Sequence, residues 1–126
     1  DIHSAFHHVE EQLDTDDKLD REIRRKCREA FQLKHKGTVD ATDFLGQSCP
    51  LICSFPSAVQ ATAKHNEDFQ TTIIETVKAG GDNAGRAAMI GSWIGARMGA
   101  DKLPKEWIKK LNRSSKIYRI LENWGL

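Results

Sequence analysis

The sequence has few cysteines, and they do not make an even set. Cys27, Cys49 and Cys53 are the three cysteines in 126 residues. An odd number argues against the complete disulfide framework of a small secreted domain. Cys49 and Cys53 are separated by three residues rather than the two of redox pairs, and Pro50 favours a loop between them. We expect this pair to be buried as small apolar side chains.

Long apolar runs are also lacking. The longest, Ala87 to Met98, is too short to span a bilayer and contains Ser92 and Arg97. No pattern of a secretory signal peptide opens the sequence. We therefore expect a soluble, cytoplasmic domain with no membrane partner.

Neither sign of charge is in excess. The sequence has nineteen Lys and Arg residues and eighteen Asp and Glu residues, which gives a formal net charge of +1. The aromatic residues recur at the spacing of helix cores, whereas a nucleic-acid surface needs them among basic groups on one face. We expect no nucleic-acid partner and interpret the charged runs as solvated helix faces.

Strict alternation of apolar and polar residues is absent as well, so strands are not expected. Apolar residues spaced three or four apart predict helices nearly throughout. Helices are expected over residues 2–13 and from a cap at Thr15 or Asp16 to about Gly37, with a short turn at 41–45. Pro56 suits the first turn of a helix over 57–64. Asn66 can cap the next helix, which Gly80 stops and in which Phe69, Ile73 and Val77 face inward. The glycine-rich helix follows, then a helix that Pro104 opens and a last one that Ser114 caps. This pattern predicts an all-α fold, a multi-helix orthogonal bundle. A chain of 126 residues has the length of a single domain, here residues 1–126.

The most informative segment present is Gly80-Gly81-Asp82-Asn83-Ala84-Gly85-Arg86. Two glycines give the backbone freedom before an aspartate that begins a helix. There its carboxylate either caps free amides or faces a cation. The simpler alternative is a glycine stop followed by a capping aspartate. Small residues recur along the next helix, so we expect Gly91 and Gly95 to approach another helix closely.

Several segments in one order resemble the C-terminal part of the ADP-ribosylglycohydrolase family, which includes the J1-crystallins. They are Ser54-Phe55-Pro56, Asp68-Phe69, Ala79-Gly80-Gly81-Asp82, the glycine-rich helix and Leu103-Pro104-Lys105-Glu106-Trp107. The resemblance implies that family's all-α fold. In active relatives it implies magnesium-dependent hydrolysis of an N-glycosidic bond to ADP-ribose. Residues 1 to about 45 carry no motif that we can match.

The departure from the family pattern bears on the metal. Active members read Gly-Gly-Asp-Thr-Asp-Thr, and both aspartates and the last threonine help bind two magnesium ions. Asp82 matches the first aspartate and is our candidate metal ligand. Ala84 and Gly85 replace the other two ligands and carry no donor oxygen. This change resembles the crystallin-like branch of the family.

The resemblance also suggests two weaker candidates for binding an ADP-ribose-type ligand, Asn83 and Arg86. Arg86 lies one turn into the helix, where a guanidinium would supply positive charge to a phosphate or to Asp82. A structural ion pair at the helix start is the alternative. No catalytic residue is identified.

The length differs from that of the family. Its members are much longer, and their other metal ligands come from a Thr-Asp-Asp type of motif that this sequence lacks. The sequence begins at Asp1 with no Met. We therefore expect the C-terminal fragment of a longer all-α domain, with the remainder of that chain as its partner and no hydrolase activity alone. The alternative is a non-catalytic, crystallin-like structural or ligand-binding relative.

A zinc site near the start of the sequence is a lesser possibility. His3 and His7 are four residues apart and would share a helix face with Glu10 or Glu11. The remaining residues of a zinc-protease motif are missing. We favour no metal there.

Overall fold

The computed structural model describes residues 1–13, 15–65 and 68–125. Within these residues there are eight α-helices and no strand, which confirms the predicted all-α fold. The helices are α1 (Ile2–Glu10), α2 (Lys18–Gln32), α3 (Thr38–Leu45), α4 (Leu51–Lys64), α5 (Phe69–Lys78), α6 (Asn83–Met98), α7 (Lys105–Lys110) and α8 (Ser114–Asn123). Short 3-10 turns cover Leu33–His35 and Ala100–Lys102.

Helix α4 lies at the centre of the fold. It packs against α1, α2, α3, α5 and α6. Its buried residues are mostly small: Ser54, Pro56, Ser57, Ala58, Val59, Gln60, Ala61 and Thr62. Small side chains let neighbouring helices approach closely while the interior stays densely packed. The position of every other element in this part of the fold is therefore set by α4.

Two apolar clusters flank α4. The first joins α1, α2, α3 and α4 through Phe6, Ile23, Cys27, Ala30, Leu45 and Val59. The second joins α4 to α6 through Ala58, Ala61, Ile90 and Ile94. Trp93 packs against both clusters and meets Phe55 edge to face, with ring centroids 5.5 Å apart. Each large aliphatic side chain buried in this way contributes about 1.5–3 kcal/mol. Helix α6, which begins at the candidate site, is thus held to α4 by apolar packing.

A buried carboxylate attaches α1 to α2. Glu10 is 5% exposed and accepts hydrogen bonds from Nε of Arg24 at 3.0 Å and Nε of Arg28 at 2.5 Å. Burial tends to raise the pKa of Glu10. The hydrogen bonds and positive charges of the two arginines outweigh that effect, so the pKa lies below its usual value.

Several predicted helix limits are wrong. Helix α1 ends at Glu10 rather than residue 13. Helix α4 begins at Leu51, which places Pro56 inside the helix rather than in its first turn. The side chain of Asp68 caps α5 by accepting from the Thr71 amide at 2.7 Å, and the predicted cap Asn66 lies outside the described residues. In α8, Ser114 is the first helical residue and Arg113 occupies the N-cap position.

The predicted close contacts of Gly91 and Gly95 are wrong. A β-carbon placed on either glycine would meet no atom within 4 Å. This side of α6 therefore faces open space among the described residues. On α5, Val77 is 50% exposed, and the buried positions are Thr72 and Thr76 instead.

The predicted burial of the Cys49 and Cys53 pair is also wrong. Cys49 is exposed and Cys53 half-buried, because α4 begins after Cys49 and leaves it in the preceding turn. Both are free thiols. Cys27 is the fully buried cysteine, where burial and the charge of Glu10 raise the pKa of its thiol to about 12.

The Glu10 ion pairs should make stability fall in acid. A carboxylate whose pKa is lowered by folding stabilises the fold above its unfolded pKa, and that stabilisation is lost as pH falls through the folded pKa. Glu10→Gln should lower the free energy of unfolding by about 1–3 kcal/mol at pH 7, since both arginines stay partly exposed. Urea unfolding from pH 7 to about pH 3 should show this difference shrinking towards acid.

The matched control is Glu29→Gln. Glu29 forms a more exposed pair with Arg25, at 3.4 Å within the same helix. Such a pair contributes little to stability, about 0.3–0.5 kcal/mol. A loss on Glu10→Gln that stayed constant across the pH range would contradict the assignment.

Candidate functional site

The candidate site lies at the junction of α5 and α6. Gly80 and Gly81 follow the end of α5 with φ angles of +67° and +58°. Side chains other than glycine rarely adopt this left-handed conformation. A β-carbon on Gly81 would also collide with the backbone carbonyl of Gln47, whereas one on Gly80 would meet nothing within 4 Å. Both glycines are required for this turn, and Gly81 for two independent reasons.

Asp82 occupies the N-cap position of α6, as the sequence predicts. Its amide donates to the Gln47 carbonyl at 2.8 Å, and its carboxylate accepts from the Gly85 amide at 3.3 Å. One carboxylate oxygen lies 2.5 Å from the point that a β-carbon of residue 85 would occupy. The missing side chain at position 85 therefore leaves room for the capping conformation.

Arg86 is buried behind this turn, with 1% of its surface exposed. One terminal nitrogen donates to the Gln47 carbonyl at 3.0 Å, and the other donates to the Gly80 carbonyl. The Nε atom is buried without a hydrogen-bond partner. Burial lowers the pKa of Arg86, and the charge of Asp82 opposes that shift. In this arrangement the guanidinium binds the carbonyl that also accepts the Asp82 amide and the carbonyl two residues before Asp82.

Asn83 is half-buried at the first position of α6. Its side-chain amide donates to the Val77 carbonyl at 3.4 Å, which links the start of α6 to the end of α5. Ala84 is exposed beside it. The structure thus brings Asp82, Asn83 and Arg86 together in one turn, and their roles in ligand binding stay predictions.

The donor set does not amount to a complete metal site. Among residues 1–13, 15–65 and 68–125, no group of three or more His, Cys, Asp or Glu side chains is arranged to hold an ion. Magnesium requires near-octahedral coordination by oxygen. Asp82 offers one carboxylate, which already caps a helix. The oxygen ligands for the magnesium that the family implies are therefore not assembled here.

The two N-terminal histidines make other contacts. The ring of His3 packs edge to face against Phe31 at a centroid distance of 4.7 Å and against His7 at 4.5 Å. His7 Nδ1 lies 3.5 Å from a carboxylate oxygen of Glu10. These rings therefore take part in packing around α1 rather than in a zinc cluster.

Gln47 is the part of the site that the sequence did not reveal. Its backbone carbonyl, rather than its side chain, accepts the bonds from Asp82 and Arg86. Every residue carries such a carbonyl, so no residue type marks the position.

No helix in the described ranges has the length and apolar character needed to cross a membrane.

Comparison with known proteins gives a consistent result. The family model described as ADP-ribosylglycohydrolase matches residues 1–125, including the first 45 residues, for which no motif was apparent. Crystallin J1A of Tripedalia cystophora is 27% identical over 103 residues, which are 82% of this chain and 32% of that protein. Crystallin J1B of the same organism is 26% identical over 96 residues, 76% of this chain and 30% of that protein. The chain thus spans about a third of the length of these relatives. No solved structure matches it.

Substitution of the two glycines should separate backbone strain from steric collision. Gly80→Ala should cost about 1–2 kcal/mol, because it strains the left-handed conformation in open space. Gly81→Ala should cost clearly more, because it also forces the Gln47 carbonyl away. Urea midpoints of the two variants measure the difference. Equal losses would mean that the turn does not press against Gln47.

Proposed function

The chain belongs to the ADP-ribosylglycohydrolase family, and from that premise we propose that it is the C-terminal portion of an ADP-ribosylglycohydrolase-like protein. The observation that carries the proposal is the Gly80-Gly81-Asp82 turn, held against Gln47 at the start of α6. Such a turn presents one acidic residue at a fixed place on the helix. The reaction class proposed for the longer protein is magnesium-dependent hydrolysis of an N-glycosidic bond to ADP-ribose. Bound magnesium would supply Lewis-acid chemistry there.

The chain's own contribution to such a site is limited. We propose Asp82 as its one metal ligand and Asn83 as a weaker contact of an ADP-ribose-type ligand. Arg86, the other candidate contact from the sequence, is 1% exposed and already donates to two backbone carbonyls. Ala84 and Gly85 offer no oxygen. Because a single carboxylate does not satisfy magnesium, this chain alone should neither hold the ion tightly nor hydrolyse a substrate.

A second function is supported by a specific observation. Both relatives named above are called crystallins, and the metal motif of this chain is degenerate. A non-catalytic, crystallin-like structural or ligand-binding protein would keep the fold and lose the ion. In that case Asp82 serves as a helix cap, which is the role in which it is seen.

The proposed partner of the chain is the remainder of a longer polypeptide, in a cytoplasmic protein with free thiols. Two surfaces support this. A groove of about 590 Å³ between α1, α2, α4 and α6 is lined mainly by apolar side chains, among them Val9, Leu19 and Trp93. On α8, Ile117 is 40% exposed, and Trp124, which follows the end of α8, is 72% exposed. Apolar surfaces of this extent usually mark a site of contact.

Release of free ADP-ribose from an ADP-ribosylated peptide, with and without magnesium, tests the catalytic proposal. This chain should release none, and calorimetry should show no tight magnesium site. In a longer protein that contains it, Asp82→Asn should reduce magnesium-dependent release. Asparagine caps a helix as well as aspartate does, so stability should change little. Asp68→Asn, at the N-cap of α5, is the matched control and should leave release unchanged.

Each outcome has a distinct meaning. Metal-dependent turnover by this chain alone would contradict the proposal that it neither holds magnesium tightly nor hydrolyses a substrate by itself. A longer protein with no metal-dependent release would favour the crystallin-like alternative. A longer protein whose release survives Asp82→Asn would remove Asp82 from the metal site.

A substitution on α8 tests the proposed partner. Ile117→Asn should lower the free energy of unfolding of this chain by no more than about 1 kcal/mol, because 40% of the residue is already exposed. In a longer protein that covers α8, the same change should cost about 2 kcal/mol or more. Lys116→Asn, the exposed neighbour, is the control. Similar small effects of Ile117→Asn in both proteins would show that α8 stays uncovered.

A further inference from the structure

We propose that Arg86 is a positioning residue that fixes the turn carrying Asp82 through the backbone carbonyls of Gln47 and Gly80. The proposal deepens the proposed function and rests on it where Asp82 is taken as a ligand. It assigns Arg86 a role behind the site, through another residue, instead of a direct contact with substrate.

The inference is based on the hydrogen bonds of two backbone carbonyls, those of Gln47 and Gly80. The Gln47 carbonyl accepts a hydrogen bond from the Asp82 amide at 2.8 Å and another from a terminal nitrogen of Arg86 at 3.0 Å. The other terminal nitrogen donates to the carbonyl of Gly80, two residues before Asp82. The guanidinium thus joins the connector between α3 and α4 to the glycine turn. Asp82 is hydrogen-bonded through its amide to the first attachment point and follows the second by two residues.

The chemistry of the side chain suits this task. A guanidinium is planar and directs its terminal nitrogens to separate acceptors, whereas the ammonium of lysine is a single point charge. Arginine side chains stay protonated in proteins. Arg86 is nevertheless almost completely buried. Its Nε atom has no hydrogen-bond partner. A buried donor left unpaired carries a desolvation cost that an apolar residue would avoid.

Positioning and simple stabilisation predict different effects of an apolar substitution. If Arg86 served stability alone, Arg86→Met would lower global stability, and exchange at Asp82 would change only in step with that loss. If Arg86 positions Asp82, the apolar variant should loosen the Asp82 amide out of proportion to any change in global stability. The amide hydrogen of Asp82 reports this directly, because it is bound to the same Gln47 carbonyl.

The experiment is amide hydrogen exchange by NMR on the full chain, with urea unfolding as the measure of global stability. Arg86→Met should speed exchange of the Asp82 amide roughly five- to tenfold beyond the change expected from global stability, the loss of about one net hydrogen bond. Arg86→Lys should restore part of the protection and keeps the test available if Arg86→Met does not fold. The amide chemical shift of Asp82 should move in the same order.

Gln60→Met is the matched control. Gln60 is also fully buried and also donates to two backbone carbonyls, those of Leu33 at 3.1 Å and Lys36 at 3.3 Å. Its loss should lower stability and leave corrected exchange at Asp82 unchanged. Corrected exchange at Asp82 that is unchanged in Arg86→Met, or equally fast in Gln60→Met, would overturn the proposal.

This result is independent of metal binding. Fast exchange in Arg86→Met together with unchanged ADP-ribose release in Asp82→Asn of a longer protein would retain the positioning role and reject the proposed metal role. Unchanged corrected exchange of the Asp82 amide in Arg86→Met, together with impaired ADP-ribose release in Asp82→Asn of a longer protein, would reject the positioning role and retain the proposed metal role.

Discussion

The structure depends on the close packing of α4. Its buried face consists largely of Ser, Ala and Thr residues, so five other helices can lie against one central helix. Packing of this kind stabilises through many short contacts rather than a few large side chains. The Thr62 hydroxyl on this face is paired within the helix, where it donates to the Ala58 carbonyl at 2.8 Å. A larger residue on this face would push α2 or α6 away from α4 and open the apolar cluster between them.

The position of the candidate site depends on that packing. On α4, Ser57 donates to the Gly46 carbonyl at 3.0 Å, and from α2 the ammonium of Lys26 donates to the Leu45 carbonyl at 2.8 Å. These bonds fix the connector between α3 and α4 from both sides. The next residue, Gln47, then offers its carbonyl to Asp82 and Arg86. A change far from Asp82, on α2 or α4, can therefore move the turn that holds it.

The features that could be predicted from the sequence are those made by residues adjacent in the chain, whereas contacts between distant segments could not be predicted. The two glycines and the aspartate predict the N-cap correctly, because the residues concerned are adjacent. The stripe of small residues on α6 predicted a close neighbour at Gly91 and Gly95, and no described helix fills that space. Small residues indicate where a helix can be approached without showing what approaches it. The role of Gln47 lay beyond prediction because a backbone carbonyl leaves no mark in the sequence.

The degenerate metal motif and the stable turn have a common origin at position 85. A threonine there would offer an oxygen ligand, but its β-carbon would fall 2.5 Å from the present carboxylate oxygen of Asp82. The carboxylate, which is the free end of the Asp82 side chain, would then have to shift from its present conformation. With glycine at 85 the carboxylate stays on the helix, where it satisfies the Gly85 amide. One carboxylate cannot cap the helix in this conformation and also turn outward to an ion. The residue at position 85 therefore bears on whether Asp82 keeps this capping conformation, and glycine is compatible with it.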